Sequence, residues 1–142
     1  MPHSHCGDVG SIPTGSIMIK KIGKIGEEIA TEFLRKKGYE ILDRNYKFQI
    51  PGDLQRGEID IIAKKEDTIC FVEVKTLKDS KIEIFPEDKI NFSKKRKLIA
   101  TAESWLIKNK IPLDSKWQID VISLEIKEGK TKISHFENAI SA

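Results

Sequence analysis

Hydrophobic positions recur at two periods along the chain, and the switches between them divide it into elements. From Met18 onward, Ile22, Ile25, Ile29 and Phe33 return at spacings of three and four, with Gly26, Ala30 and Leu34 beside them. That spacing predicts an amphipathic helix ending near Gly38. "YEILDRNYKF" predicts a strand, and Pro51 and Gly52 break regular structure in the loop "QIPGDLQRG". In "GEIDIIAKKEDTICFVEVK", Gly57 to Lys75, two apolar runs flank a charged turn, the pattern of a β-hairpin. The helical period returns in "NFSKKRKLIATAESWLIKNK", where Leu98, Ala102 and Trp105 form one stripe with Ile99 and Leu106 beside it. "KWQIDVISLEI" and, past Gly129, "TKISHF" predict two last strands. The order implies an α/β fold, with a central mixed β-sheet of about 4–5 strands flanked by α-helices, in one domain from Met18 to Ala142.

A length of 142 residues suits a single core. With 25 Lys+Arg against 22 Asp+Glu, the excess charge is too small to name a partner, so the placement of charges matters more than their sum. No apolar run approaches the roughly 18 residues of a membrane span, and no segment has the form of a secretory signal. The expectation is a cytoplasmic protein with no membrane partner. Cys70 alternates with strand residues and reads as a small buried side chain, and Cys6 has no evident partner, so no structural disulfide is expected. The leader "MPHSHCGDVGSIPTGSI", residues 1–17, lacks periodicity and is expected to be disordered. Its His3, His5 and Cys6 lack the second ligand pair of a metal site. "VGSIPT" can be encoded by GTC-GGT-TCG-ATT-CCG-AC, whose complementary GTCGG and CCGAC flank TTCGATT in the form of a transfer-RNA T-arm. Residues before Met18 are therefore read as the product of a misplaced start within an upstream transfer-RNA gene.

The hairpin carries the candidate chemistry. A turn of two residues (Lys65, Glu66) or four (Lys64 to Asp67) pairs Ala63 with Thr68 and sets Asp60 opposite Phe71. Alternation then sends Glu58, Asp60, Phe71, Glu73 and Lys75 to one side, and Ile59, Ile61, Val72 and Val74 to the other. Asp60 and Glu73 become diagonal neighbours, roughly 7–8 Å apart at the backbone. Glu27 falls in line with Ala30 and Leu34 at the margin of the first helix's buried stripe, whereas Glu28 shares a solvated side with Glu32 and Arg35. An isolated Glu-x-Lys is ordinarily a solvated ion pair worth ~0–1 kcal/mol. Here the strand is apolar on both sides before Glu73, Asp60 sits in an equally apolar run, and a third acid lies on the covering helix. Clustered carboxylates repel unless a cation compensates, and Mg²⁺ or Mn²⁺ held by Glu27, Asp60 and Glu73 is the economical compensator. Lys75 beside Glu73 would steady charge developing on a phosphoryl group, which completes the outline of a phosphodiester hydrolysis site. The second helix begins with Lys94, Lys95, Arg96 and Lys97, candidates for binding nucleic-acid phosphates as well as for an ordinary solvated face. Lys95, three residues before Leu98, is the one expected to approach the acids. Asp120 reads as a structural hydrogen-bonding acid and His135 as a packing residue at a sheet edge.

The ordered segments "GEEIATEFLRKKGYEIL…RN", "GEIDIIA", "FVEVK", the basic helix, "WQIDVISL" and "ISHFENAI" resemble the YraN-like family of predicted endonucleases, over nearly everything from Ile22 to Ile140. The resemblance implies a restriction-endonuclease-like fold, similar to that of archaeal Holliday-junction resolvases. It implies Glu27 as the helix acid, Asp60 and Glu73 as metal ligands and Lys75 as the active-site lysine. The implied activity is Mg²⁺-dependent endonucleolytic cleavage of DNA, with branched or junction DNA among the candidate substrates. A non-catalytic nucleic-acid-binding protein on the same fold is the alternative, and a homodimer suits a nuclease that cuts both strands. Two departures stand out: "FQIPGDLQR" is longer than the family's usual link, and Lys95 stands where the family usually has glutamine.

Overall fold

The computed structural model describes residues 16–54, 56–78 and 92–140. The leader lies outside the described residues, apart from the last positions before Met18, where helix α1 (Ser16–Lys36) is already under way. There follow β1 (Glu40–Gln49), β2 (Arg56–Lys65), β3 (Thr68–Lys78), α2 (Phe92–Lys108), β4 (Trp117–Lys127) and β5 (Lys130–Ile140). The strands form one mixed sheet in the order β1-β2-β3-β4-β5, antiparallel except for the parallel pair β3 and β4, which α2 connects. The architecture is α/β, five strands with two helices, as the periodicities predict. Among the described residues no helix is long and apolar enough to cross a membrane.

Each helix covers its own core. Ala30 and Leu34 of α1 pack with Ile61, Ala63, Cys70, Val72, Ile122 and Leu124. Leu98, Ala102, Trp105 and Leu106 of α2 pack with Ile62, Phe71, Ile119 and Val121. Neighbouring residues along β2, β3 and β4 thus feed opposite faces, which is why these central strands are apolar on both sides. Helix α1 ends in a Schellman motif: Gly38, at φ 92°, donates its N–H to Arg35 O, and Tyr39 donates to Leu34 O. On the other face α2 approaches β2 closely, because Gly57 has no side chain and a Cβ there would collide with Thr101 Oγ1.

Two details differ from the sequence-based expectation. The β2–β3 turn is Glu66–Asp67, with Glu66 at φ 57°, so Lys65 pairs with Thr68 and Ala63 with Cys70 rather than with Thr68. The register has moved by two residues, which preserves face parity, and its continuation would place Asp60 level with Glu73 rather than Phe71. All four residues from Lys64 to Asp67 are charged, so hydrophobic pattern alone does not select among turns.

Strict alternation also fails around Asp60. Ile61 belongs to the α1 core, yet Ile59 packs in the α2 core with Ile62 and Phe71. The partner strand inverts at the same level: Arg44, opposite Ile61, reaches Glu28 of α1 at 2.8 Å, while Tyr46, opposite Ile59, hydrogen-bonds Ser104 of α2 at 2.9 Å. Between them Asn45 adopts a left-handed backbone, φ 52°, a conformation asparagine tolerates better than most residues. The β1–β2 ribbon thus turns over at the level of Asn45 and Asp60.

Candidate metal and nucleic-acid site

The ladder between β2 and β3 runs from the hairpin turn to Ile61↔Val72 and stops there. Beyond it the Val74 N–H has no β2 carbonyl to meet, and Asp60 Oδ2 accepts it at 2.8 Å. A carboxylate has taken the place of the next ladder bond. The inversion of the ribbon turns Asp60 into this gap, where it is only 9 % exposed and lies beside Glu73, 7 % exposed.

Two carboxyl groups in so dry a place cannot both ionise cheaply. Burial, and next the Glu73 charge, push Asp60 up to about 8, although the Val74 N–H acts in the opposite sense. Glu73 Oε2 is buried and receives no hydrogen bond. Lys94 Nζ stands 3.3 Å from that same oxygen, so the contact is an attraction between charges without the alignment of a donated hydrogen bond. Lys94, not Lys95, is the cation that α2 presents to Glu73. Both residues are half-buried, and the phase of the helix puts the position four before Leu98, rather than three, over the acid.

Glu27 occupies a different niche. Its carboxyl is raised chiefly by burial, while Arg44 and a hydrogen bond from Asn45 draw it down. Its charge reaches Asp60 only as a minor influence. Among the described residues no three His, Cys, Asp or Glu side chains form a metal-holding group. The structure therefore joins Asp60 and Glu73 and leaves Glu27 flanking them. Lys75, half-buried, follows Glu73 by two on β3 and so projects from the same side of the strand.

The pair nevertheless suits a hard divalent cation. Mg²⁺ is ordinarily held by one or two carboxylates together with water and substrate phosphate. The undonated Glu73 oxygen and the repulsion between neighbouring carboxylates are the features such an ion would resolve. Around the pair lies positive charge from α2. Lys94 contacts Glu73, Lys97 lies 3.9 Å from Asp53 in the loop after β1, and Arg96 is exposed. The loop after β1 thus reaches the basic start of α2. Asn45, Asp53 and the specific part of Lys94 were not singled out from sequence; for Asn45 the only available signal was a residue type that accepts a left-handed backbone.

Asp120 and His135 form a separate centre. Asp120 Oδ2 lies 2.9 Å from His135 Nε2, and Oδ1 accepts from Gln118 Nε2 at 2.9 Å and from the Asn138 N–H at 2.8 Å. The His135 ring meets Phe33 edge-on and tilts against Tyr39. Nearby, burial and then Asp120 push the Cys70 thiol up to about 12, which leaves it unreactive.

The profile of the uncharacterised protein family UPF0102 matches residues 26–124. A UPF0102 protein of Alkaliphilus oremlandii is 43% identical over 124 residues, 86% of this chain and 99% of that one. One from Clostridioides difficile is 39% identical over 120 residues, covering 84% and 96% of the two chains. One from Flavobacterium psychrophilum is 40% identical over 119 residues, covering 83% and 92%. The match takes in α1 from Gly26 onward, the hairpin with Asp60 and Glu73, all of α2 and most of β4, and the chain belongs to UPF0102, the YraN-like family.

Proposed function

We propose that this protein is a divalent-metal-dependent endonuclease that hydrolyses phosphodiester bonds in DNA, branched or junction forms included, on a restriction-endonuclease-like variant of the α/β fold. The observation that carries the reading is the buried pair Asp60 and Glu73, with one carboxylate oxygen lacking a donor, beside the basic start of α2. Asp60 and Glu73 would hold Mg²⁺ or Mn²⁺, with Glu27 adding negative charge from α1. When bound, the ion supplies charge against phosphoryl oxygens and makes an attacking water easier to deprotonate.

This chain's own groups do the rest. Asp60 is held in place by the Val74 N–H, so its carboxyl group is oriented before any ligand arrives. Lys75 steadies the charge that grows on the phosphoryl oxygens, and Lys94, Lys95, Arg96 and Lys97 neutralise flanking phosphates. Phosphate contacts position a duplex without reading its sequence, so affinity falls with salt and discriminates little between bases. A homodimer would supply a second site for the opposite strand.

Titration with Mn²⁺ of Glu73→Ala against the parent tests the site: binding lost in the variant supports it, and equal affinity rejects it. Cleavage of branched, flapped and linear DNA tests the activity. The parent should cut in the presence of Mg²⁺, and Lys75→Ala should be slower by about 10²-fold or more. Cleavage unchanged by that substitution places the activity elsewhere. DNA binding without any metal-dependent cutting by the parent supports the alternative, a nucleic-acid-binding protein that does no chemistry.

A further inference from the structure

We infer that Lys94 is a displaceable internal counter-ion: its ammonium holds the place of a divalent cation at Glu73 and, once displaced, passes to a DNA phosphate, so that metal and DNA bind with positive coupling. This rests on the proposed metal site and specifies how that site is regulated.

Three observations carry it. Glu73 Oε2 is buried and undonated, yet it is the atom that Lys94 Nζ approaches, at 3.3 Å. The contact is therefore held by charge alone, and a small divalent ion that binds the oxygen directly would outcompete it. Second, the two ends of the contact differ in exposure: the Glu73 side chain is 8% exposed and the Lys94 side chain 43%. The acid is fixed in the sheet, while the lysine has solvent to swing into. Third, the direction of that swing is supplied with partners for phosphate. Lys94 lies in the first turn of α2, which contains no acidic residue, and Lys97 follows one turn later. A helix N-terminus and neighbouring cations favour an incoming anion.

Without metal, Lys94 offsets the charge of Glu73 and is withheld from DNA. With metal, the same lysine would face a divalent ion, and repulsion moves it outward, toward a phosphate bound at the start of α2. Each ligand thereby favours the other, and by linkage the factor is the same in both directions.

The test compares the full-length parent with Lys94→Ala and Lys94→Arg, using Mn²⁺ binding by calorimetry without DNA. DNA binding is then followed by fluorescence anisotropy, with and without Ca²⁺ as a divalent probe. Lys94→Ala should bind Mn²⁺ about tenfold more tightly than the parent, because the competing charge is gone. Lys94→Arg should bind it more weakly, because a guanidinium can grip the carboxylate with two bonds. In the parent, Ca²⁺ should strengthen DNA binding several-fold; in Lys94→Ala binding should be weaker and the Ca²⁺ effect largely lost. Mn²⁺ affinity equal or lower in Lys94→Ala, with normal binding by the parent, overturns the counter-ion inference alone. No Mn²⁺ binding by any of the three chains overturns both this inference and the metal site beneath it. Position 94 is only half-buried, and matching urea unfolding curves for the three chains will show that the comparison is between folded proteins.

Discussion

Asp60 and Asp120 are buried carboxylates on the two strands that flank β3, and their surroundings are opposites. Asp120 lies level with Val72 on the β4 side, and Asp60 lies one residue past the last β2–β3 pair, Ile61↔Val72. Asp120 is met by an imidazole, a side-chain amide and a backbone N–H. Asp60 is met by one backbone N–H and by a second carboxylate, whose buried Oε2 receives no hydrogen bond and only the charge of Lys94 at 3.3 Å. Burial of charge is thus not one phenomenon. Where donors converge on an acid, the fold has used it to tie strands together; where acids converge on each other, burial is left uncompensated by donors, and a cation arriving there would be stabilised.

The largest expected effect divides the two centres by stability. Asp120→Ala strands the buried His135, the Gln118 amide and the Asn138 N–H, and should cost about 3–5 kcal/mol. Glu73→Gln strands no buried donor, because its amide oxygen can still accept from a protonated Asp60, so it should cost less than about 1 kcal/mol. Urea unfolding at neutral pH, without divalent ions, measures both. Equal losses would mean that the acidic pair is as structural as Asp120, and the contrast would fail.

The next effect is in the pH dependence. The folded-state value of Asp60 is raised to about 8 from an ordinary value of 3.8. Between those values the native protein keeps a proton that the unfolded chain has released. The stabilising contribution is full below pH 3.8 and is lost as pH rises toward and through about 8. Stability attributable to this group should therefore fall with pH, the reverse of an acid held by donors. Asp60→Asn can still accept the Val74 N–H, and it should flatten the curve between pH 5 and pH 8.5. Mn²⁺ should restore the parent's stability at the alkaline end and do little for the variant. A parent curve that rises across this window, or that Asp60→Asn leaves unchanged, would contradict the assignment.

Much of this contrast could be read in the sequence. The helical and strand periods locate both helices and all five strands, because each element buries an apolar stripe or face that composition makes plain. The proximity of Asp60 and Glu73 is legible for the same reason: parity survives any even shift in register, so a turn misplaced by one residue at each end still leaves both acids on one side. What was illegible depends on rotations that hydrophobicity does not encode. Whether Lys94 or Lys95 meets Glu73 is a matter of some 100° about the axis of α2, and both flank the same apolar stripe. The transfer of Ile59 to the α2 core is likewise invisible, since an isoleucine is equally at home on either face of a two-sided sheet. Glu27 reads as a member of the acidic set because helical phase aims it at the sheet, yet the distance along the sheet depends on where Arg44 and Asn45 engage it.

The smallest expected effect concerns the residue that creates the contrast. Asn45, with φ 52°, sits between Arg44↔Ile61 and Tyr46↔Ile59, where the β1–β2 ribbon changes face and Asp60 turns into the gap beside Val74. In an ordinary strand glycine is less stable than alanine by roughly 0.5–1 kcal/mol, because it loses more backbone freedom on folding. A left-handed site reverses the order, since alanine there places its Cβ against the following carbonyl at a cost of roughly 1–2 kcal/mol. Asn45→Gly should therefore be the more stable variant, by about 1 kcal/mol in urea unfolding, with only the Glu27 hydrogen bond lost to both. The same pair should separate in Mn²⁺ affinity, Gly near the parent and Ala weaker, because a β1 that relaxes toward regular extension would carry Ile59 toward the α1 face and Asp60 away from Glu73. The ordinary strand ranking, alanine above glycine with equal metal affinities, would show that the inversion of the ribbon does not aim Asp60, and that only the ending of the β2–β3 ladder does.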